Sequence, residues 1–137
     1  MITNELKIQL FDKAKTMLNF SYAPYSHFHV GAALLTKDGN IYTGCNIENA
    51  AYGPSNCAER TAFFKAVSEG ILKFDAIMVG GVPNGKIKDY CPPCGVCRQV
   101  MMEFAPELTV ICLNKKGESK KFALKELLPY GFDQTWL

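Results

Sequence analysis

Apolar residues recur near the start of the chain at Leu6, Leu10, Phe11, Ala14, Met17 and Leu18, the spacing of one buried helix face. This predicts a helix over residues 4–19, capped by Thr3, with Glu5 in the first turn where the helix dipole favours an acid. Pro24 makes the stretch from Ser21 to Ser26 an irregular connector. From His29 to Thr36 the apolar residues fall on both alternating faces, as in a strand covered on both sides. Lys37-Asp38-Gly39-Asn40 contains the Asp-Gly turn signal and returns the chain as an antiparallel strand from Ile41 to Cys45. A polar loop over 46–56 leads to a helix from Cys57 through Ser68 that stops near Gly70.

The second half repeats the alternation of strand and helix. Ala76 to Val82 is an apolar strand, and residues 83–93 form a loop with three prolines and a glycine. A third helix should open at Cys94 and run through Phe104. Strands follow from Thr109 to Asn114 and near Lys120 to Phe122, turned at Lys116-Gly117, and a brief helix occupies 123–128. This order predicts an α/β fold, a mixed five-stranded sheet with helices on both faces. Right-handed parallel crossovers are expected in the middle and an antiparallel pair at the end, where the connection is too short for a crossover. No internal repeat or interdomain linker interrupts residues 1–137, so they read as one domain.

Composition narrows the function classes. The net charge is only +2, with acids and bases interspersed, and the densest basic run, Lys115 to Lys121, sits around a turn. That argues for a solvated hairpin rather than a nucleic-acid surface. No apolar run approaches 18 residues, which excludes a membrane-spanning helix. The first residues lack the charged start and apolar core of a signal peptide, so a cytosolic protein with six reduced cysteines is expected.

Three of those cysteines carry the chemistry. Cys57 precedes Ala58-Glu59, and Pro93-Cys94-Gly95-Val96-Cys97 follows further on. Three thiolates suit zinc and leave its fourth corner open, the hallmark of a catalytic rather than a structural site. An open zinc lowers the pKa of bound water from about 15.7 to about 7, so hydroxide exists at neutral pH. Glu59 is close enough to handle that water's protons without being a ligand. Cys57 and Cys94 both stand at expected helix starts, where the dipole favours thiolate. Three thiolates on a divalent ion leave a net negative charge, and Arg60 is the cation placed to offset it. Cys91 could extend the pair into a four-cysteine cluster, but Pro92 and Pro93 hold the intervening backbone extended and work against a tight chelate. Cys45 and Cys112 read as small buried apolar residues.

The zinc deaminase signature is a Cys or His ligand, x-Glu and P-C-x-x-C, and this chain has its all-cysteine form. Tyr22-Ala23-Pro24-Tyr25-Ser26, Val30 to Leu34, Gly44-Cys45-Asn46-Ile47-Glu48-Asn49-Ala50 and Cys57 to Ala62 extend the match, and the chain resembles the small bacterial cytidine deaminases from about Tyr22 to Pro129. The resemblance implies a three-layer α/β/α fold, one zinc per chain on Cys57, Cys94 and Cys97, Arg60 beside the sulfurs and Glu59 as the proton-transferring group. It further implies a free nucleoside substrate, with Phe28 and Ala58 in the pocket and Asn46 and Glu48 on the ribose hydroxyls. A homotetramer with shared pockets would have Tyr52 and Phe132 reach neighbouring sites, although the segment after Tyr130 matches only loosely. His27 and His29 flank Phe28 and should face away from the pocket.

The expected activity is zinc-dependent deamination of cytidine and 2′-deoxycytidine in pyrimidine salvage. Two other functions compete: deamination of a nucleoside antibiotic such as blasticidin S, and a binding module merely stapled by zinc or an iron–sulfur cluster. Asn46-Ile47-Glu48 favours the ordinary nucleoside.

Overall fold

A computed structural model of the chain describes residues 2–82 and 89–137. Most of the loop predicted over 83–93 lies outside the described residues. Helix α1 spans Asn4–Met17 and is capped by the Thr3 hydroxyl, which accepts from the Leu6 N–H. It ends two residues before the predicted limit because the next three amides bond three residues back, tightening the chain out of α geometry. Strands β1 (His29–Thr36) and β2 (Ile41–Cys45) form the expected hairpin. Helix α2 (Ala58–Ser68), strand β3 (Phe74–Val82), helix α3 (Gly95–Phe104), strands β4 (Thr109–Leu113) and β5 (Ser119–Ala123), and the short helix α4 (Leu124–Leu127) complete the order. A 3₁₀ turn at Gln134–Trp136 was not expected from the sequence.

The five strands form one sheet in the order β2-β1-β3-β4-β5, with only the β3–β4 pair parallel. One topological expectation needs correcting. The crossover from β2 to β3 does not make parallel neighbours, because β3 pairs antiparallel with β1 instead. β1, apolar from Val30 to Leu35, is the better partner, since its central residues are buried on both faces whereas β2 is half-exposed along most of its length. β2 and β3 still run in the same direction on either side of β1, so both deliver the chain to the same end of the sheet. The β4–β5 pair is antiparallel as expected, and among the described residues β5 forms one edge of the sheet with β2 at the other.

Helices cover both faces. Leu10 and Ala14 of α1 pack on Ala33, Leu35, Ala76 and Met78. On the opposite face, Ala62, Phe63 and Ala66 of α2 and Met101 of α3 pack on Ala32, Leu34, Ile77 and Val79. Each fully buried large side chain contributes about 1.5–3 kcal/mol, so this two-sided core dominates the favourable side of stability. Contact is closest at two glycines. A Cβ on Gly31 would lie 2.0 Å from the Ala14 carbonyl oxygen, and one on Gly44 would lie 2.2 Å from that of Ala58. Both helices therefore rest backbone-on-backbone against the hairpin, and the second contact sets the start of α2.

Candidate active site

The site assembles at the starts of α2 and α3. Cys57 and Cys94 are the N-cap residues of these helices, in extended backbone conformation, rather than their first helical residues. Capping needs a non-helical residue whose side chain can face the free amides, and the Cys94 sulfur accepts from the Cys97 N–H at 3.4 Å. The three sulfurs of Cys57, Cys94 and Cys97 all lie within 4.8 Å of one another, those of Cys57 and Cys94 at 3.6 Å. Bonds of about 2.3 Å in a tetrahedron would separate sulfurs by about 3.8 Å, so these donors are spaced for zinc.

Their charges are arranged to match. Hydrogen bonding from the Cys97 thiol, and from Arg60 and Cys94, holds the Cys57 thiol down at about 5 against the opposing effect of burial. The Arg60 guanidinium donates from Nη2 to the Cys57 sulfur at 3.4 Å, while its buried Nε finds no partner among the described residues. A cation held against sulfurs by a half-satisfied fork suits a cluster of several thiolates, and the residues present fit the metal. Glu59 is 4% exposed, and burial, reinforced by the nearby Cys57 charge, pushes its carboxyl up to about 7. A carboxyl balanced between its two forms near neutrality can both take and give a proton. Cys91 is outside the three-sulfur group. Its main-chain N–H is tied to the Leu113 carbonyl at 3.0 Å, and burial pushes its thiol up to about 12, as a packed thiol rather than a ligand.

Cys57, Cys94, Glu59 and Arg60 line a cavity of about 730 Å³. Phe28 and Val30 form its apolar wall, Ala58 and Glu59 lie on the sulfur side, and Asn46 and Glu48 stand at the polar side. Asn46 is fixed by β1: its oxygen accepts from the Val30 N–H at 2.9 Å and from the Ser21 hydroxyl, and its Nδ2 donates to the Phe28 carbonyl at 2.7 Å. One N–H of that amide remains for a ligand. Glu48 accepts from the amides of Tyr25 and Ser26, at 3.0 and 3.1 Å, and from the Ser26 hydroxyl. Burial is the largest single effect and raises its carboxyl, but those bonds together outweigh it and hold the group below the ordinary value.

Ser26 is a site residue that sequence reasoning missed. Its hydroxyl donates to Glu48 and accepts from the Phe28 N–H at 3.0 Å, linking the polar end of the cavity to its aromatic wall. The available signal was a serine two residues ahead of Phe28 in a proline-marked turn, the pattern of a side-chain turn mimic. The histidines stay out of the cavity lining: His29 bonds Ser21 at 3.0 Å, and His27 is exposed with a φ of 56°. Tyr52 and Phe132 are 74% and 57% exposed and line no part of this cavity within one chain.

Residues 4–113 match the family described as the cytidine and deoxycytidylate deaminase zinc-binding region. A cytidine deaminase of Sporosarcina psychrophila is 47% identical over 127 residues, spanning 92% of this chain and 90% of that protein. A blasticidin-S deaminase of Bacillus cereus is 32% identical, spanning 93% of each chain. The crystal structure of cytidine deaminase from Burkholderia pseudomallei superposes with a TM-score of 0.83 at 46% identity, covering 95% of this chain and 99% of that one. With the three-sulfur cluster and the buried Glu59 on one cavity, the chain belongs to the cytidine and deoxycytidylate deaminase family.

Proposed function

We propose that this protein is a zinc-dependent deaminase of free cytidine and 2′-deoxycytidine, releasing uridine or deoxyuridine and ammonia, and that it works in pyrimidine salvage. The observation that carries the proposal is the buried Glu59 carboxyl at the three-sulfur end of a cavity large enough for a nucleoside. Cys57, Cys94 and Cys97 would hold a zinc ion, which when bound would supply a water activated for attack at neutral pH. Glu59 moves the protons. It takes one from the attacking water and delivers it to ring N3 so that C4 becomes electrophilic, then takes the second from the new C4 hydroxyl and passes it to the departing amine as the carbonyl forms. Arg60 offsets the charge of the three thiolates.

The substrate contacts follow from the cavity's polarity. Phe28 packs against the base, with Ala58 beside it. The remaining N–H of Asn46 donates to a ribose oxygen, and Glu48 accepts from the 3′-hydroxyl. The ordinary nucleoside is favoured over the antibiotic by the higher identity to cytidine deaminases and by this Asn46–Glu48 pair. No nucleic acid partner is proposed, in keeping with a net charge of +2. Residues 1–137 act as one cytosolic domain in a homotetramer, where the exposed rings of Tyr52 and Phe132 complete the pockets of neighbouring subunits. No helix of the described residues is long and apolar enough to cross a membrane.

The test is Glu59→Ala, followed by the loss of cytidine absorbance and by zinc content. The variant should keep its zinc and lose at least about 100-fold in kcat, the usual contribution of a general acid–base group. Turnover above a tenth of the parent's would overturn the assignment.

A further inference from the structure

We infer that Arg98 is a positioning residue of the metal centre, holding Cys94 in place for zinc by tying its approach segment to the C-terminal helix. The inference rests on the assignment of zinc to the three sulfurs and extends it to a residue outside the cavity lining.

The need arises from the chain just before Cys94. A main-chain bond from the Cys91 N–H to Leu113 anchors this segment to β4. Pro92 and Pro93 come next, and neither has an N–H to donate. Two consecutive residues before the ligand therefore cannot be held by donors of their own. Only their carbonyls can be held, and Arg98 holds the one next to the ligand: its Nε donates to the Pro93 carbonyl at 2.8 Å.

The other arm of the same guanidinium donates from Nη1 to the Leu127 carbonyl at 2.6 Å. Leu127 is the last residue of α4, and the final carbonyls of a helix have no partner within it. One planar cation thus satisfies two carbonyls, of Pro93 and Leu127, from segments far apart in the chain, a geometry that the guanidinium fork supplies and a single ammonium does not. The half-buried Arg98 follows the ligand Cys97 directly, and its own N–H bonds the Cys94 carbonyl at 2.9 Å. It touches the entry to one ligand from the residue beside another. Releasing the fork would let Pro93 and Cys94 move while leaving Cys57 and Cys97 where they are, and two remaining sulfurs hold zinc less tightly than three.

The experiment loads the protein with zinc, challenges it with a chromogenic chelator and follows the rate of zinc release, a readout independent of turnover. Arg98→Met, which keeps an apolar stem, should release zinc about 10–100-fold faster, the range found for partners that orient metal ligands. Arg98→Lys, which can reach one carbonyl, should fall between that variant and the parent. Glu126→Ala serves as the comparison for simple loosening of α4: it removes the carboxylate that accepts from the Ala123 N–H at 2.8 Å and leaves both Arg98 bonds. It should release zinc at the parental rate. Release from Arg98→Met within twofold of the parent would overturn the inference, as would equal acceleration in Glu126→Ala. Should Arg98→Met not fold, Arg98→Lys decides alone, and a parental rate from it overturns the inference too.

Discussion

Gly44→Ala tests how the fold places the site. The added methyl would lie 2.2 Å from the Ala58 oxygen and 2.6 Å from the Ala62 nitrogen. Both are backbone atoms, so no side chain can swing aside. A Cβ needs at least about 3.0 Å, so the start of α2 must retreat from β2 by about 0.8 Å or more. Overpacking of this kind costs about 1–3 kcal/mol, which in a domain of this size lowers the melting temperature by about 3–12 °C. The effect on turnover should be larger. Ala58 lies between Cys57 and Glu59, and a shift near 1 Å at a catalytic group can cost about 100-fold. The assay pairs thermal melting with kcat/KM for cytidine. Gly95→Ala is the stability comparison, because a Cβ there meets no atom within 4 Å, and its melting temperature should stay level or rise. The reasoning fails if Gly44→Ala melts within about 1 °C of the parent and keeps more than a tenth of its activity.

Two further outcomes separate the roles of individual residues. Cys91→Ser should retain zinc and most activity, whereas Cys94→Ser should lose both, as zinc analysis and turnover would show; metal loss in Cys91→Ser would restore the four-cysteine cluster. Cytidine 3′-monophosphate should react at least about 100-fold more slowly than cytidine, because phosphate beside the Glu48 carboxylate costs about 1–4 kcal/mol across the dielectric range of such a site and the charged hydrogen bond is lost as well. Since the Glu48 pKa is depressed, its charge is present above the ordinary carboxylate range and is not lost until the pH falls below it, so the discrimination should persist at mildly acid pH. Equal rates for the two substrates would remove Glu48 from the 3′-position.

Much of this was legible in the sequence because the chemistry is local. Cys94 and Cys97 lie within one helical turn, Cys57 and Glu59 within another, and each group is placed by a helix start that its own flanking residues encode. The alternation in β1 and the Asp-Gly turn likewise needed no distant partner. What was missed depends on contacts between segments far apart in the chain. Nothing local could say that β1, already paired with β2, would also accept β3, since that choice rests on which edge buries more apolar surface. Ser26 bridging Glu48 to Phe28, and Arg98 spanning Pro93 and Leu127, join residues that only the folded chain brings together.

The edge strand β5 bears on how the molecule can associate. A sheet edge with free peptide groups is a template for adding strands from other chains, the route to open-ended aggregates. Here the exposed middle of that strand carries Lys120 and Lys121, and the Lys120 ammonium lies 5.2 Å from the centre of the Phe122 ring, close to the strand's one large apolar side chain. A second strand docking along β5 would have to strip water from two ammonium groups or meet a like-charged copy of them, either of which opposes pairing. The same molecule can thus offer apolar surface elsewhere, at Tyr52 and Phe132, while this edge of its sheet resists open-ended growth.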